Sequence, residues 1–204
     1  LLAHDVASQT NSKAYEEEFN KPEWDHTNII MDNSVVETGG AVDLNMVKDA
    51  SEIVAADVVV LPDVLGNGTE SLRATLNAWA TWHWEFRDYE KMVVIQGSTM
   101  KDWLLSAETL AKETLPDWIS VPRVAQGITD GSRPVNRYEL VAWASAIFGK
   151  HIPVHLLGFS DYIWEDLTAA WQPSVKSIDS AVPLRLASQN QYNVLSGDAG
   201  KRGD

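Results

Sequence analysis

Cysteine is absent from this 204-residue chain. That gap removes a disulfide framework, a thiolate nucleophile and any cysteine-held zinc or iron–sulfur centre. No apolar run is long enough to span a bilayer although hydrophobic residues make up 45% of the chain, so no membrane partner is expected. Leu1-Leu2-Ala3-His4-Asp5 has neither an initiator Met nor the basic-then-apolar pattern of a signal peptide, and reads as a truncated or renumbered start. A cysteine-free, leaderless chain fits a cytoplasmic location. No Gly-x-Gly-x-x-Gly or P-loop segment follows any candidate strand, which counts against a nucleotide-binding open sheet. No His-x-His or other compact ligand motif is present, so neither a metal nor a cofactor is expected.

Positive charge is also scarce. Sixteen Lys and Arg stand against 29 Asp and Glu, for a net charge of −13. A phosphate backbone needs basic partners, so the balance argues against broad nucleic-acid binding. The excess is uneven, however. Through Ile119 there are 8 basic and 21 acidic residues, and from Ser120 onward 8 and 8. The C-terminal part therefore retains the means for a local phosphate-binding face.

What the chain does have is a series of short apolar strands alternating with helices. Strands are expected at Thr27–Asp32, Asp57–Asp63, Met92–Gly97, Asp117–Val121, Ile152–Gly158 and Val175–Asp179. Helices are expected at Leu44–Ala55 behind an Asp43 cap, Thr69 to about Tyr89, Thr99–Thr114, Pro134–Phe148 and Asp161–Trp171, with Pro122–Arg133 as a loop. Continuous apolar strands between helices imply a parallel sheet covered on both faces. An open doubly wound sheet and a barrel both fit this pattern. Polar residues ending several different strands favour an α/β barrel of TIM type. At 204 residues it is compact or incomplete beside the usual 250 or so. The domain is expected over residues 1–188, followed by a polar tail over 189–204.

The strand ends carry the chemistry. Asp32, Asp63, Gln96 and Asp179 hold equivalent positions, and in a barrel these converge on one mouth. A carboxylate there can attack an anomeric carbon and hold the sugar as a covalent intermediate. A second carboxylate can manage protons on the departing and arriving groups. A third carboxylate with a primary amide can read the donor and acceptor edge of a purine-like base. Other two-carboxylate reactions use the same groups. Each residue also has a plainer reading: strand-end Asp residues often cap the next helix, and Gln96 suits a satisfied strand-end amide. His155, inside an apolar strand, reads as a hydrogen-bonded core histidine. Trp79, Trp82 and Trp84 read as packing residues, and Glu16–Glu18 as a solvated face.

Asp179-Ser180-Ala181-Val182-Pro183-Leu184-Arg185 resembles the nucleophile segment of tRNA-guanine transglycosylases, Asp-x-x-x-Pro-x-Arg. Met31-Asp32-Asn33-Ser34-Val35-Val36-Glu37 is similar to their general-base segment, with Ser34 where the family often has Gly. Leu61-Pro62-Asp63, Val94-Ile95-Gln96-Gly97 and His155-Leu156-Leu157-Gly158 resemble three further strand-end segments, and the order is shared over roughly Leu1–Ser188. Val59–Asn67, Gln96–Leu104 and Ser177–Arg185 look closer to the phage and bacterial branch that exchanges guanine in DNA for a 7-deazaguanine.

The resemblance implies a barrel without the family's zinc subdomain. It implies a pentosyltransferase in which Asp179 attacks C1′ of a target guanosine and Asp32 is the acid/base. Asp63, Gln96 and Gly97 would hold the base, with backbone at Ser120–Pro122 lining its edge, and Arg185 would support the nucleophile loop or a phosphate. The implied partners are a preQ0-like deazaguanine base and nucleic acid, with DNA favoured and tRNA the alternative, in the host cytoplasm if phage-encoded. Two other classes remain beside it. One is a non-catalytic base- or nucleic-acid-binding barrel, acting as a subunit of a larger modification complex. The other is a metal-dependent hydrolase using the same carboxylates.

Overall fold

The computed structural model describes residues 1–24, 26–82, 84–158 and 168–179. Among them, β1 (Ile30–Met31), β2 (Val58–Val60), β3 (Glu90–Val94), β4 (Trp118–Pro122), β7 (Val154–Leu157) and β8 (Val175–Ile178) form one six-stranded sheet. A two-stranded antiparallel hairpin, β5 (Thr129–Asp130) with β6 (Arg133–Pro134), stands apart. Every pair in the large sheet is parallel, and each strand lies beside the preceding one in the order β1-β2-β3-β4-β7-β8. A doubly wound sheet reverses its strand order at a switch point. Over the described strands this one does not, so the doubly wound alternative is excluded. The sheet is a curled half-barrel, compatible with an incomplete β/α barrel.

Alternation along the strands sorts the core into two sides. Val58, Val60, Met92, Val94 and Trp118 pack together with Ile30 and Leu157. The intervening residues join the helices. Met31 and Val59 meet Val47, Ala50 and Val54 of α4 (Leu44–Val54). Val93, Ile95, Ile119, Val121, Val154 and Leu156 meet α6 (Met100–Glu113) and α7 (Arg137–Phe148). The chain also runs parallel to β1 at Leu2, paired with Asp32, before entering α1 (Ala3–Val6). The acidic run lies on α2 (Ser12–Phe19), where Glu16 and Glu17 are exposed.

Caps explain most helix starts. Asp43 accepts the Asn45 N–H at 2.8 Å, and Thr99 caps α6 through the Asp102 N–H. Three expected boundaries are corrected. Helix α5 (Gly68–Trp82) begins one residue before Thr69, and Asn67 rather than Thr69 accepts the Glu70 N–H. It ends well short of Tyr89, because residues 84–88 turn so that Phe86 enters the core beside Trp82. Helix α7 starts at Arg137 rather than Pro134, since Asn136 and Glu139 form a capping box there and Pro134 belongs to the hairpin. That hairpin and a 3-10 turn at Arg123–Gly127 occupy the stretch expected to be an unstructured loop. The expected helix over 161–167, the Arg185 segment and the 189–204 tail lie outside the described residues.

Gly97 shows how tightly the β3-to-α6 turn is folded. A Cβ there would sit 2.6 Å from the Trp103 backbone, and Trp103 is itself wholly buried. Gly97→Ala should therefore lower stability by about 2 kcal/mol through overpacking. Gly40, where a Cβ meets nothing within 4 Å, is the control, and Gly40→Ala should change stability by less than about 0.5 kcal/mol. Urea denaturation of both variants checks the contrast.

Candidate functional site

The first wall of the site is the turn after β1. Asp32 Oδ1 accepts the Ser34 N–H at 2.6 Å and Asn33 Oδ1 accepts the Val35 N–H at 3.1 Å. The turn opens α3 (Val35–Thr38) with Ser34 in the left-handed region, φ 61°. A side chain costs about 1 kcal/mol there, which explains why glycine suits this position in similar segments. Ser34 Oγ is put to use, accepting the His4 N–H at 3.3 Å and tying α1 to the turn.

Behind this turn lies a buried polar knot. Asn33 Nδ2 donates to Asp63 Oδ1 at 2.8 Å and to the Leu61 carbonyl at 2.9 Å. Gln96 Nε2 donates to Asp63 Oδ2 at 2.6 Å, and Gln96 Oε1 accepts the Gly66 N–H at 3.0 Å. Asp63 is 1% exposed and Gln96 0%. The structure thus brings both expected base-contacting side chains together, but each satisfies the other. Burial raises the Asp63 carboxyl above the usual carboxylate range, while the Asn33 and Gln96 donors partly oppose the rise.

The second wall is the end of β8. Asp179 Oδ1 accepts the Gly158 N–H at 2.5 Å and lies 3.3 Å from His155 Nε2. The other imidazole nitrogen, Nδ1, is 2.8 Å from Ser177 Oγ. His155 is buried and hydrogen-bonded, as a core histidine would be, yet the nitrogen turned away from Ser177 faces the expected nucleophile. On β4 beside it, paired with His155, Ser120 carries a buried hydroxyl without a hydrogen-bond partner among the described residues. Partial burial pushes the Asp179 carboxyl up. The hydrogen bonds from His155 and Gly158, with the charges of His155 and Arg137, outweigh it and leave the group below its ordinary value.

Arg137 was not singled out by the sequence. Wholly buried, it donates from Nε and Nη2 to the Val121 carbonyl at 3.1 and 2.6 Å. It also donates from Nη1 to Gly158 O at 2.7 Å and from Nη2 to Leu157 O at 2.8 Å. One guanidinium therefore fastens the ends of β4 and β7 together. A signal for it did exist: the Asn136-x-x-Glu139 box puts Arg137 at the first helical position, where a cation opposes the helix dipole. Such a residue has to be held by something else.

Asp32 and Asp179 come from opposite ends of the sheet. In a flat sheet with strands about 4.8 Å apart, β1 and β8 would be separated by roughly 24 Å. Instead the two act on one another: burial lifts the Asp32 carboxyl to about 6 against the Ser34 N–H and the Leu1 amine, and the Asp63 and Asp179 charges add smaller contributions to the rise. The curl thus brings the two carboxylates into one neighbourhood, with one raised and the other lowered. Gly97 stands at the Gln96 end of this group, where its clearance from Trp103 is structural. Arg185 lies outside the described residues. Trp79 and Trp82 pack against the two cores, whereas Trp84 is 75% exposed. Among the described residues, no group of three His, Asp or Glu is placed to hold a metal ion.

The raised Asp32 value has a consequence for stability. The folded state binds this proton more tightly than the unfolded state, so stability is greatest below the unfolded value near 4 and is lost as pH rises through about 6. The loss amounts to about 3 kcal/mol at most, at 1.36 kcal/mol per pH unit. Asp32→Asn should therefore stabilise the protein by about 1–3 kcal/mol at pH 8 and leave it nearly unchanged at pH 4. Equal effects at the two pH values in urea titrations would show that Asp32 carries no such strain.

No protein-family model and no curated protein matches this chain, so its function has to be read from the arrangement itself.

Proposed function

We propose that this chain is a base-exchanging glycosyltransferase that replaces guanine in DNA with a 7-deazaguanine, built on an incomplete barrel of TIM type. The observation that carries the reading is the pair Asp32 and Asp179. Two carboxylates from opposite ends of a curled sheet share one neighbourhood, and their environments push their proton affinities apart. Such a split is how one site obtains both an acid/base and a permanently ionised group.

Asp179, held anionic, attacks C1′ of the target nucleoside. The C1′–O bond forms as C1′–N9 breaks, and the electron pair goes to the departing guanine, which takes a proton from Asp32. The resulting Asp32 carboxylate then removes the N9 proton of the incoming deazaguanine. That nitrogen attacks C1′, the C1′–O bond breaks, and Asp179 is regenerated as an anion while Asp32 is again protonated. A group titrating near 6 serves both directions of this transfer. The unpartnered Ser120 hydroxyl offers the base edge a hydrogen-bonding group. Recognition by Asp63 and Gln96 is coupled to release of the Gly66 N–H from Gln96 Oε1. DNA is favoured over tRNA on the segments Val59–Asn67 and Gln96–Leu104.

A second reading, a non-catalytic base- or nucleic-acid-binding barrel within a larger modification complex, is favoured by the mutual hydrogen bonding of Asp63 and Gln96. In that reading their role is to stiffen the sheet rim. Incubation with guanine-containing DNA and labelled deazaguanine separates the two. Label should enter DNA with the wild type and not with Asp179→Asn, which should keep base binding. Binding without any covalent adduct would favour the second reading.

The acid/base assignment has its own signature in single-turnover kinetics. Guanine release needs protonated Asp32 and should slow as pH rises through about 6, while deazaguanine capture needs the carboxylate and should quicken over the same range. Asp32→Asn should flatten both profiles. If the two half-reactions respond to pH in the same direction, Asp32 is not the shared proton carrier.

A further inference from the structure

We infer that His155 is a positioning residue that commits Asp179 to attack through Oδ2 and makes the Asp179 ester easy to discharge. The inference rests on the transglycosylase reading above and deepens it.

The one hydrogen bond and the one ion-pair contact to the Asp179 carboxylate fall on the same oxygen. Oδ1 takes the Gly158 N–H at 2.5 Å and faces His155 Nε2 at 3.3 Å. Among the described residues, Oδ2 takes none. The His155 side chain is 4% exposed while that of Asp179 is 53% exposed, so the carboxylate is held from its buried side and keeps an exposed one. Ser177 Oγ at 2.8 Å fixes the imidazole: with the hydroxyl donating to Nδ1, the ring proton sits on Nε2 and points at Oδ1. The β7–β8 pairing places Ser177 directly across from His155, so the relay is built into the sheet register. Among the described residues, Arg137, His155, Asp32 and the Leu1 amine are the charged or titratable groups acting on Asp179 from the surrounding elements.

The chemistry of this arrangement is asymmetric. Attack by Oδ2 turns Oδ1 into an ester carbonyl oxygen that keeps both donors. When C1′–O breaks in the second half-reaction, the electron pair returns to a carboxylate whose charge those donors stabilise, so departure is assisted. Formation of the ester has no such electronic assistance, because the same donors withdraw charge from the attacking group and help it only by orienting it. Loss of the His155 donor should therefore slow discharge more than formation, whereas a merely structural defect would slow both.

The test follows the covalent DNA adduct in single turnover, with unlabelled guanine DNA and then added preQ0, for wild type, His155→Phe, His155→Gln and Ser177→Ala. In His155→Phe, discharge should fall by about 100-fold and formation by less than about tenfold, so that adduct accumulates. His155→Gln, whose amide can still donate toward Oδ1, should recover discharge to within about tenfold of wild type. Ser177→Ala leaves the buried ring in place and should slow discharge by about threefold, a readout that survives if His155→Phe does not fold. Independently, ¹³C-carboxylate titration should place the Asp179 midpoint about one pH unit higher in His155→Phe than in wild type.

Unchanged discharge and an unchanged Asp179 midpoint in both His155→Phe and Ser177→Ala would overturn the inference. Equal slowing of the two half-reactions, unrescued by His155→Gln, would overturn it too. A wild type that forms no adduct, with the Asp179 midpoint still moved by His155→Phe, would instead sink the transglycosylase reading while leaving the pairing intact.

Discussion

The structure around the candidate site hangs on a single buried guanidinium. Arg137 reaches from the first turn of α7 and bonds the carbonyls of Val121, Leu157 and Gly158. Carbonyls past the last ladder bond of a parallel sheet need donors, and leaving several of them dry costs a few kcal/mol each. A water-filled mouth could supply those donors only loosely. Arg137 supplies them rigidly, and so fixes where Gly158 turns and where its N–H points. Because that N–H is the one Asp179 accepts, the position of a carboxylate on β8 is set by a residue on a helix far from it in sequence. The same buried cation helps keep Asp179 ionised.

The opposite wall follows a contrasting rule. Asp32 sits in a buried turn with one backbone donor, the Leu1 amine and two acidic neighbours, and burial prevails to raise its proton affinity. Asp63, deeper still, is stabilised by two amide side chains and no cation among the described residues. Three carboxylates of identical chemistry are thus distinguished by their donors and by their depth. That gradation is produced by curvature, which folds the two ends of the sheet toward each other.

Much of this was legible in the sequence. Valine-rich runs ending on Asp or Gln marked β2 and β3, and the cap at Asp43 marked the helix behind β1. The strand-end placement of Asp32, Gln96 and Asp179 also followed from those patterns. Other features escaped because their causes are tertiary. That α5 does not run on to Tyr89 reflects Phe86 turning into the core. The β5–β6 hairpin depends on Gly131, at φ 63°, within a stretch too short to show period-two alternation. His155 looked like a core residue because an apolar strand surrounds it in sequence, whereas its partner Asp179 is brought in by β8. The mutual bonding of Asp63 and Gln96 was hidden for the same reason: pattern places two residues on one rim but does not say whether they meet a ligand or each other.

The unbroken strand order carries a further implication. Because each strand pairs with the one before it, position along the chain is also angular position around the rim, and each strand-to-helix turn owns one sector of it. Lengthening the turn after β2 or the hairpin segment after β4 would remodel its own sector while leaving every ladder pairing intact. The layout is modular in this sense: the face that recognises a partner can drift turn by turn, while the charge gradation between the two ends of the sheet is conserved by the ladder beneath it.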